Sequence, residues 1–407
     1  MNDLATAPHP SSMQDDRKSA SLADAQTVTH GGARVTRSLA GAREILRSPD
    51  VRQAGGASGL MANENPDHIS FFFLDGDAHR KRRASVAGYF TPKAIITRYH
   101  PIINETMDHL IRQFQADGKG VLDVMALELA TNVTVEILGT ARDGSPLNFA
   151  YRLHDMRRTS PSPYRSAFKK FVQDRLLGWH YRGKRARKTA EFYNRHVAPA
   201  VEARRKEPKD DVVSYMVKEG YSQQAMIMEC MTYGTAGVST TREFIGMCAW
   251  HMFDRPELKE AFLTANEEGQ FAILQEILRL DPVSGMLYRR TLTEMPEAKD
   301  GAIDEGALMA ISIRNANFDE KAVGENPFRL DPERAAKIKN VGSYMSFGDG
   351  PHRCPGSQVA LHECRMFLDR MMRVPGIRLA KPPTMIWNTN TQGYEIREAV
   401  VLCDKVG

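Results

Sequence analysis

Phe347-Gly348-Asp349-Gly350-Pro351-His352-Arg353-Cys354-Pro355-Gly356 sets one thiol inside a loop of glycines and prolines, just ahead of a helical run from Val359 to Met372. Glycine lets a bound group approach the backbone closely, because no Cβ stands in the way. A thiolate here gains backbone N–H groups and the positive end of the following helix, and both favour the charged sulfur. Cys354 is therefore a candidate metal ligand. The competing reading is an inert small hydrophobe, the commoner fate of a free cysteine.

Upstream, Asn315 to Tyr344 is rich in Asp, Asn, Pro and Gly with weak periodicity, which in a compact domain marks a functional loop. Farther back, Ser222 to Phe253 reads as one long central helix of roughly 32 residues, about 48 Å at 1.5 Å per residue, capped by Ser222 and stopped before Asp254-Arg255-Pro256. Its middle carries Gly234, Gly237, Ser239, Thr240 and Thr241, residues that weaken a helix or bend it by bonding back to the preceding turn. The spacing predicts either a notch for a bound group or close packing of a neighbouring helix. Helical periodicity also covers Ile102–Gln113, Val124–Ile137, Thr189–Lys206 and Glu257–Leu280, while strand signals are confined to Ala33–Ser38, Met286–Thr293, Leu308–Ile313 and Ala399–Leu402. The expectation is a mainly α fold with small β-sheets.

The chain has 407 residues, 42% of them hydrophobic, enough for a large core and too many for a disordered chain. No Pro/Gly/Ser-rich linker divides its interior, so a single domain is expected over 33–407, preceded by a mobile tail over 1–32 that lacks the pattern of a signal peptide. Five cysteines, an odd number, argue for reduced thiols and a cytoplasmic protein. No run of about 18 apolar residues suggests a membrane span. A net charge of +5 is too small to announce a nucleic-acid binder, and the basic runs His79–Arg83 and Arg182–Lys188 are not interleaved with stacking aromatics.

Phe-x-x-Gly-x-His-x-Cys-x-Gly at 347–356 resembles the haem-binding loop of cytochrome P450s. Glu276-Ile277-Leu278-Arg279 is similar to that family's Glu-x-x-Arg helix motif, His79-Arg80-Lys81-Arg82-Arg83 to its His-x-x-x-Arg helix, and Ala236-Gly237-Val238-Ser239-Thr240-Thr241 to its oxygen-binding groove. The resemblance implies that Cys354 is the axial ligand of the iron in haem b (iron protoporphyrin IX), and that thiolate donation favours O–O cleavage. It implies that His79, Arg83, Arg290 and His352 hold the propionates, that Phe347, Gly348, Gly356 and Gly237 lie against the cofactor, and that Glu276 and Arg279 form a structural ion pair. Thr240 takes the part of the threonine that assists proton delivery. Ser239 stands where the family usually has Asp or Glu, so a carboxylate relay is missing there. The short N-terminus leaves little room for the family's first helix and opening strands.

By family position the substrate cavity takes Phe71, Phe72, Phe73, Tyr233, Gly237, Ser284, Met286, Leu287, Thr389 and Asn390. Leu176 to Gly183 suggests a lid turn. The implied activity is insertion of one atom of dioxygen into a small-to-medium apolar organic substrate, with electrons from a ferredoxin or flavodoxin served by an NAD(P)H reductase. Alternatives are a peroxide-driven haem-thiolate peroxygenase, prompted by Ser239, and a haem-binding sensor or carrier without turnover. A zinc site from His352-x-Cys354 and His362-x-Cys364 is disfavoured, because residues two apart on a helix do not share a face.

Overall fold

The structure is a computed structural model that describes residues 14–27, 32–54, 65, 68–158, 178–338, 344–389 and 391–405. Its contacts fall into two compact units, each assembled from non-contiguous stretches: Met1–Gly55, Met107–Met125 and Glu243–Gly407 form the first, and Gly56–Thr106 with Ala126–Arg242 the second.

The first unit holds the sheets. β1 (Arg34–Thr36), β2 (Val51–Gln53), β4 (Met286–Thr291) and β5 (Leu308–Ser312) form a four-stranded sheet in the order β1-β5-β4-β2, with only β1 and β5 parallel. β3 (Lys119–Val121), β9 (Val400–Leu402) and β6 (Arg378–Lys381) make a second sheet, and β7 (Thr384–Asn388) pairs with β8 (Gly393–Arg397) as a hairpin. The sequence patterns at Ala33, Met286, Leu308 and Ala399 identify four of these strands. The other five, β2, β3, β6, β7 and β8, are not among those signals.

The N-terminal segment corrects the expectation of a mobile tail over 14–27. Helix α1 (Ala20–Gln26) is present, and the residues before it are tied down one after another. Asp16 accepts from Leu330 N at 2.7 Å and pairs with Arg255, while Arg17 lies 4.0 Å from the Phe328 ring centroid. Ser19 gives both its N–H and its hydroxyl to Asp281 Oδ1, at 2.8 and 2.6 Å. Burial alone would raise the Asp281 carboxyl, but hydrogen bonds from His251 and Ser19 outweigh it and bring it down to about 2. The room thought too small thus suffices for a first helix and for β1.

α2 (Leu39–Arg47) is capped by Ser38, whose oxygen accepts from Gly41 N at 2.9 Å, and it buries Leu39, Ala42, Ile45 and Leu46. The expected helix over Glu257–Leu280 is two helices, because Asn266 caps a new start by accepting from Gly269 N at 2.9 Å. The second of them, α3 (Glu267–Leu280), carries the Glu-x-x-Arg motif.

In the second unit the helices pack on one another through small residues. A Cβ on Gly234 would lie 2.7 Å from Leu153 Cδ2, so only glycine admits that contact. The long helix begins where expected: Ser222 accepts from Ala225 N at 3.0 Å and caps Gln223–Gly234. It is not uniform. Thr235–Ser239 is a π-turn, followed by Thr240–Asp254. One extra residue in a turn is a common device at functional sites.

Candidate active site

Within the first unit, the cysteine loop is closed by its own backbone: Cys354 N–H donates to Phe347 O at 2.9 Å, and Arg353 N–H to Gly350 O at 3.1 Å. Gly348 and Gly350 adopt φ of +68° and +66°, which side-chain-bearing residues rarely accept, and a Cβ on Gly350 would fall 2.1 Å from Leu46 O. Asp349 holds the loop to α2 through Arg47, at 2.9 and 3.0 Å, and through Arg43. Burial would raise the Asp349 carboxyl, yet Arg47 and the Gly350 N–H lower it on balance. Helix Ser357–Met372 starts directly after Gly356.

Cys354 differs from the other four cysteines in being only half-buried. Burial pushes the thiols of Cys230 and Cys364 up, away from the thiolate that binds metal. A half-exposed thiol in a glycine loop before a helix suits the axial sulfur of haem iron, so the donor set fits that group.

The loop's support is a buried network. Arg279 grips Glu276 with Nε and Nη2, both at 2.8 Å, and donates to the carbonyls of Asn317 and Pro327 at 3.0 and 2.6 Å. Asn317 Nδ2 donates to Ser346 Oγ, Ser346 Oγ to Leu278 O, both at 2.9 Å, and Met345 N–H returns to Asn317 Oδ1. The ion pair is therefore structural, as the sequence implied. The sequence reading missed its third member: Arg334 Nε donates to Glu276 Oε1 at 3.1 Å and its terminal nitrogens satisfy four carbonyls. The signal for it was Asp331-Pro332-Glu333-Arg334, a charged turn inside the long loop.

Arg290 has a neighbour that competes for its part. Residues of a strand alternate between its faces, so Leu287, Arg289 and Thr291 share one side of β4, and Leu287 Cδ1 stands 3.7 Å from where a Gly348 Cβ would be. The face toward the cysteine loop thus carries Arg289, which is buried, while Arg290 faces the other way and donates to Gly306 O at 2.6 Å. His352 closes the short 3₁₀ turn Gly350–His352 and is half-buried.

In the second unit, His79 and Arg83 lie one turn apart on helix Gly76–Val86. His79 is buried, its ring centroid 6.1 Å from that of Phe71, over which the Arg83 guanidinium also sits at 5.8 Å. Phe71, buried, also meets Tyr233 edge-on at 6.5 Å, whereas Phe72 is 44% exposed and does not behave as a cavity wall. Phe73 is half-buried against Phe72, their centroids 5.1 Å apart. At Gly237 a Cβ would lie 2.6 Å from Thr134 Oγ1, so the missing side chain also makes room for a neighbouring helix. In the π-turn Ala236 is exposed, and Thr240 Oγ1 donates to Ala236 O. Ser239 is half-buried beside it.

Of the remaining cavity candidates, Met286 is buried, and Ser284 Oγ donates to Thr391 O at 3.4 Å. Thr389 follows β7 in a turn. Asn390, Leu176 and Leu177 lie outside the described residues, and 178–183 open the helix Gly178–Phe192 where a lid turn was expected.

A mainly helical chain whose half-exposed cysteine is braced by a Glu-Arg-Arg network fits the haem-thiolate class that its cysteine loop resembles. The sequence profile described as Cytochrome P450 matches residues 271–374. Nocardicin C N-oxygenase of Nocardia uniformis subsp. tsuyamanensis is 25% identical over 379 residues, covering 91% of this chain and 84% of the relative. Cytochrome P450(MEG) of Priestia megaterium is 26% identical over 319 residues, 76% of this chain and 71% of the relative. The crystal structure of CalO2 superposes with a TM-score of 0.75 at 21% identity, covering 93% of this chain and 94% of that one. These likenesses support a cytochrome P450 of bacterial type, an oxidoreductase of the monooxygenase class that binds haem b. Such an enzyme takes a substrate, dioxygen and electrons from a redox partner. Among the described residues no helix is long and apolar enough to cross a membrane.

Proposed function

We propose that the substrate is a small-to-medium apolar organic molecule, that one oxygen atom enters it while the other leaves as water with two protons, and that the two electrons come from NAD(P)H through a reductase and a ferredoxin or flavodoxin. The half-exposed thiol of Cys354 in its braced loop carries this reading. When bound, haem b supplies oxygen activation. Cys354 Sγ would hold its iron. Phe347, Gly348 and Gly356 would frame that sulfur, and the propionates would pair with His352 and with Arg290, or Arg289 beside it; the resemblance gives His79 and Arg83 the same part. Ser284, Met286, Leu287 and Thr389 would line the substrate cavity, and the resemblance gives Tyr233 the same part. Relatives named as an N-oxygenase, a mycinamicin IV hydroxylase/epoxidase and steroid C26-monooxygenases support an organic molecule of that size range. Reduced cysteines support a cytoplasmic location.

Thr240 Oγ1 holds its proton toward Ala236 O in this structure, so proton transfer requires that hydroxyl to turn away from the helix backbone. Ser239 has no carboxylate to reload it, and ordered water completes the path. This favours one rival, a peroxide-driven catalyst, which needs no proton relay of that kind. Product formation from a screened substrate with a ferredoxin/reductase system decides between them: the monooxygenase outpaces the same protein given peroxide alone. Faster turnover with peroxide would reverse the assignment.

A further inference from the structure

Arg314 opens the short helix Ile313–Asn317, directly after β5, and is only 9% exposed. Its Nη1 donates to Ser19 Oγ at 2.9 Å. Its other two guanidinium nitrogens, Nε and Nη2, are buried and have no hydrogen-bond partner among the described residues. Those two N–H groups lie along one edge of the planar guanidinium, the pair of parallel donors that matches the two oxygens of a carboxylate. A third buried donor without a partner, Trp387 Nε1, belongs to β7, and the Trp387 ring centroid is 5.3 Å from the guanidinium carbon. Buried donors are nearly always answered, so three on two adjacent side chains call for an acceptor.

The surroundings say where that acceptor would come from. Gly285 N–H donates to Thr391 O at 2.9 Å, Gly285 O accepts from Ile313 N at 3.0 Å, and a Cβ on Gly285 would lie 3.3 Å from Arg314 Nε. Nε therefore lies beside Gly285, between Ser284 and Met286, which were given above to the substrate cavity. Asp281 is linked to Arg314 through Ser19, whose hydroxyl accepts from Nη1 and donates to Asp281 Oδ1. Burial lowers the Arg314 pKa against the raising field of Asp281, a cost that an anion on the open edge would offset.

We infer that Arg314, with Trp387 Nε1, anchors a carboxylate on the substrate, so that the class oxidised is an apolar molecule bearing a carboxylic acid. This rests on the monooxygenase reading and narrows it.

The test uses the holoprotein and straight-chain carboxylic acids of graded length, each beside its methyl ester. Binding is measured by calorimetry and by the spin-state shift of the Soret band. The wild type should bind at least one acid on the order of tenfold or more tighter than its ester. Arg314→Gln should abolish that preference and leave ester affinity and the thiolate-type spectrum of the reduced carbon-monoxide complex unchanged. Trp387→Phe, which keeps the ring and removes the donor, should reduce the preference severalfold and serves if Arg314→Gln does not fold. Equal affinity for every acid and ester, equal loss of both in the variants, or a structure of the acid-soaked holoprotein with only water on the Arg314 edge would overturn the inference. Loss of the thiolate-type spectrum in the wild type would instead overturn the monooxygenase reading beneath it.

Discussion

Two buried carboxylates, Glu276 in the first unit and Glu229 in the second, each face an arginine, yet their surroundings are unlike. Glu276, 3% exposed, accepts two hydrogen bonds from Arg279, one from Arg334 and one from Asp331 N. Glu229, 1% exposed, takes one guanidinium nitrogen of Arg82 at 2.6 Å, and burial pushes its carboxyl up although Arg82 and Ser70 oppose the rise. A buried charge persists when several donors replace its water shell, and a single pair compensates it only in part. The first arrangement holds the cysteine loop; the second ties helix Gly76–Val86, which carries His79 and Arg83, to helix Gln223–Gly234.

The largest effect should come from breaking the richer network. Glu276→Gln leaves Arg279 and Arg334 buried without their counter-charge and should cost about 3–5 kcal/mol of folding stability, read from urea unfolding, with loss of bound haem. Glu229→Gln should cost less, about 1–3 kcal/mol, because Arg82 keeps the ring faces of Tyr215 and Tyr221 at 4.7 and 5.3 Å. An equal loss in the two variants would remove the distinction drawn between them.

A third buried carboxyl sharpens the comparison at its small end. Glu363, on helix Ser357–Met372, is 4% exposed and is pushed far above the usual carboxylate range by burial alone. The folded protein then keeps a proton that the unfolded chain releases, so this carboxyl's contribution is fully present below the unfolded value and is lost as pH rises through the folded one. Glu363→Gln, which mimics the protonated form, should change stability by less than about 1 kcal/mol in mildly acidic solution and flatten the decline toward higher pH. Urea unfolding across a pH series measures both, and an unchanged slope would show that Glu363 is ionised in the fold.

What the sequence revealed follows the same division between local and distant partners. The cysteine loop, the Glu276–Arg279 pair and the Ser222 cap are local patterns, legible because the residues that cooperate lie within a few positions of one another. Arg334 was missed because its partner Glu276 is 58 residues away. The docking of Asp16–Ser19 was hidden for the same reason, its main acceptor being Asp281. With Arg289 and Arg290 adjacent, the choice between them depends on which face of β4 meets the loop, a property of the sheet that neither residue announces. Gly237 was ambiguous between a groove and a packing contact, and the packing partner, Thr134, is a hundred positions away in the chain. Asn266 was readable: an Asn followed by two acidic residues is a helix-start signal.

The central claim is that Cys354 Sγ ligates the haem iron, and the spectrum of the reduced, carbon-monoxide-bound protein tests it most directly. The wild type should show the red-shifted Soret band of thiolate ligation, and Cys354→Ser should lose that band while Cys230→Ser and Cys364→Ser keep it. A wild-type band at the position of histidine-ligated haem, or a red-shifted band that survives Cys354→Ser, would contradict the account.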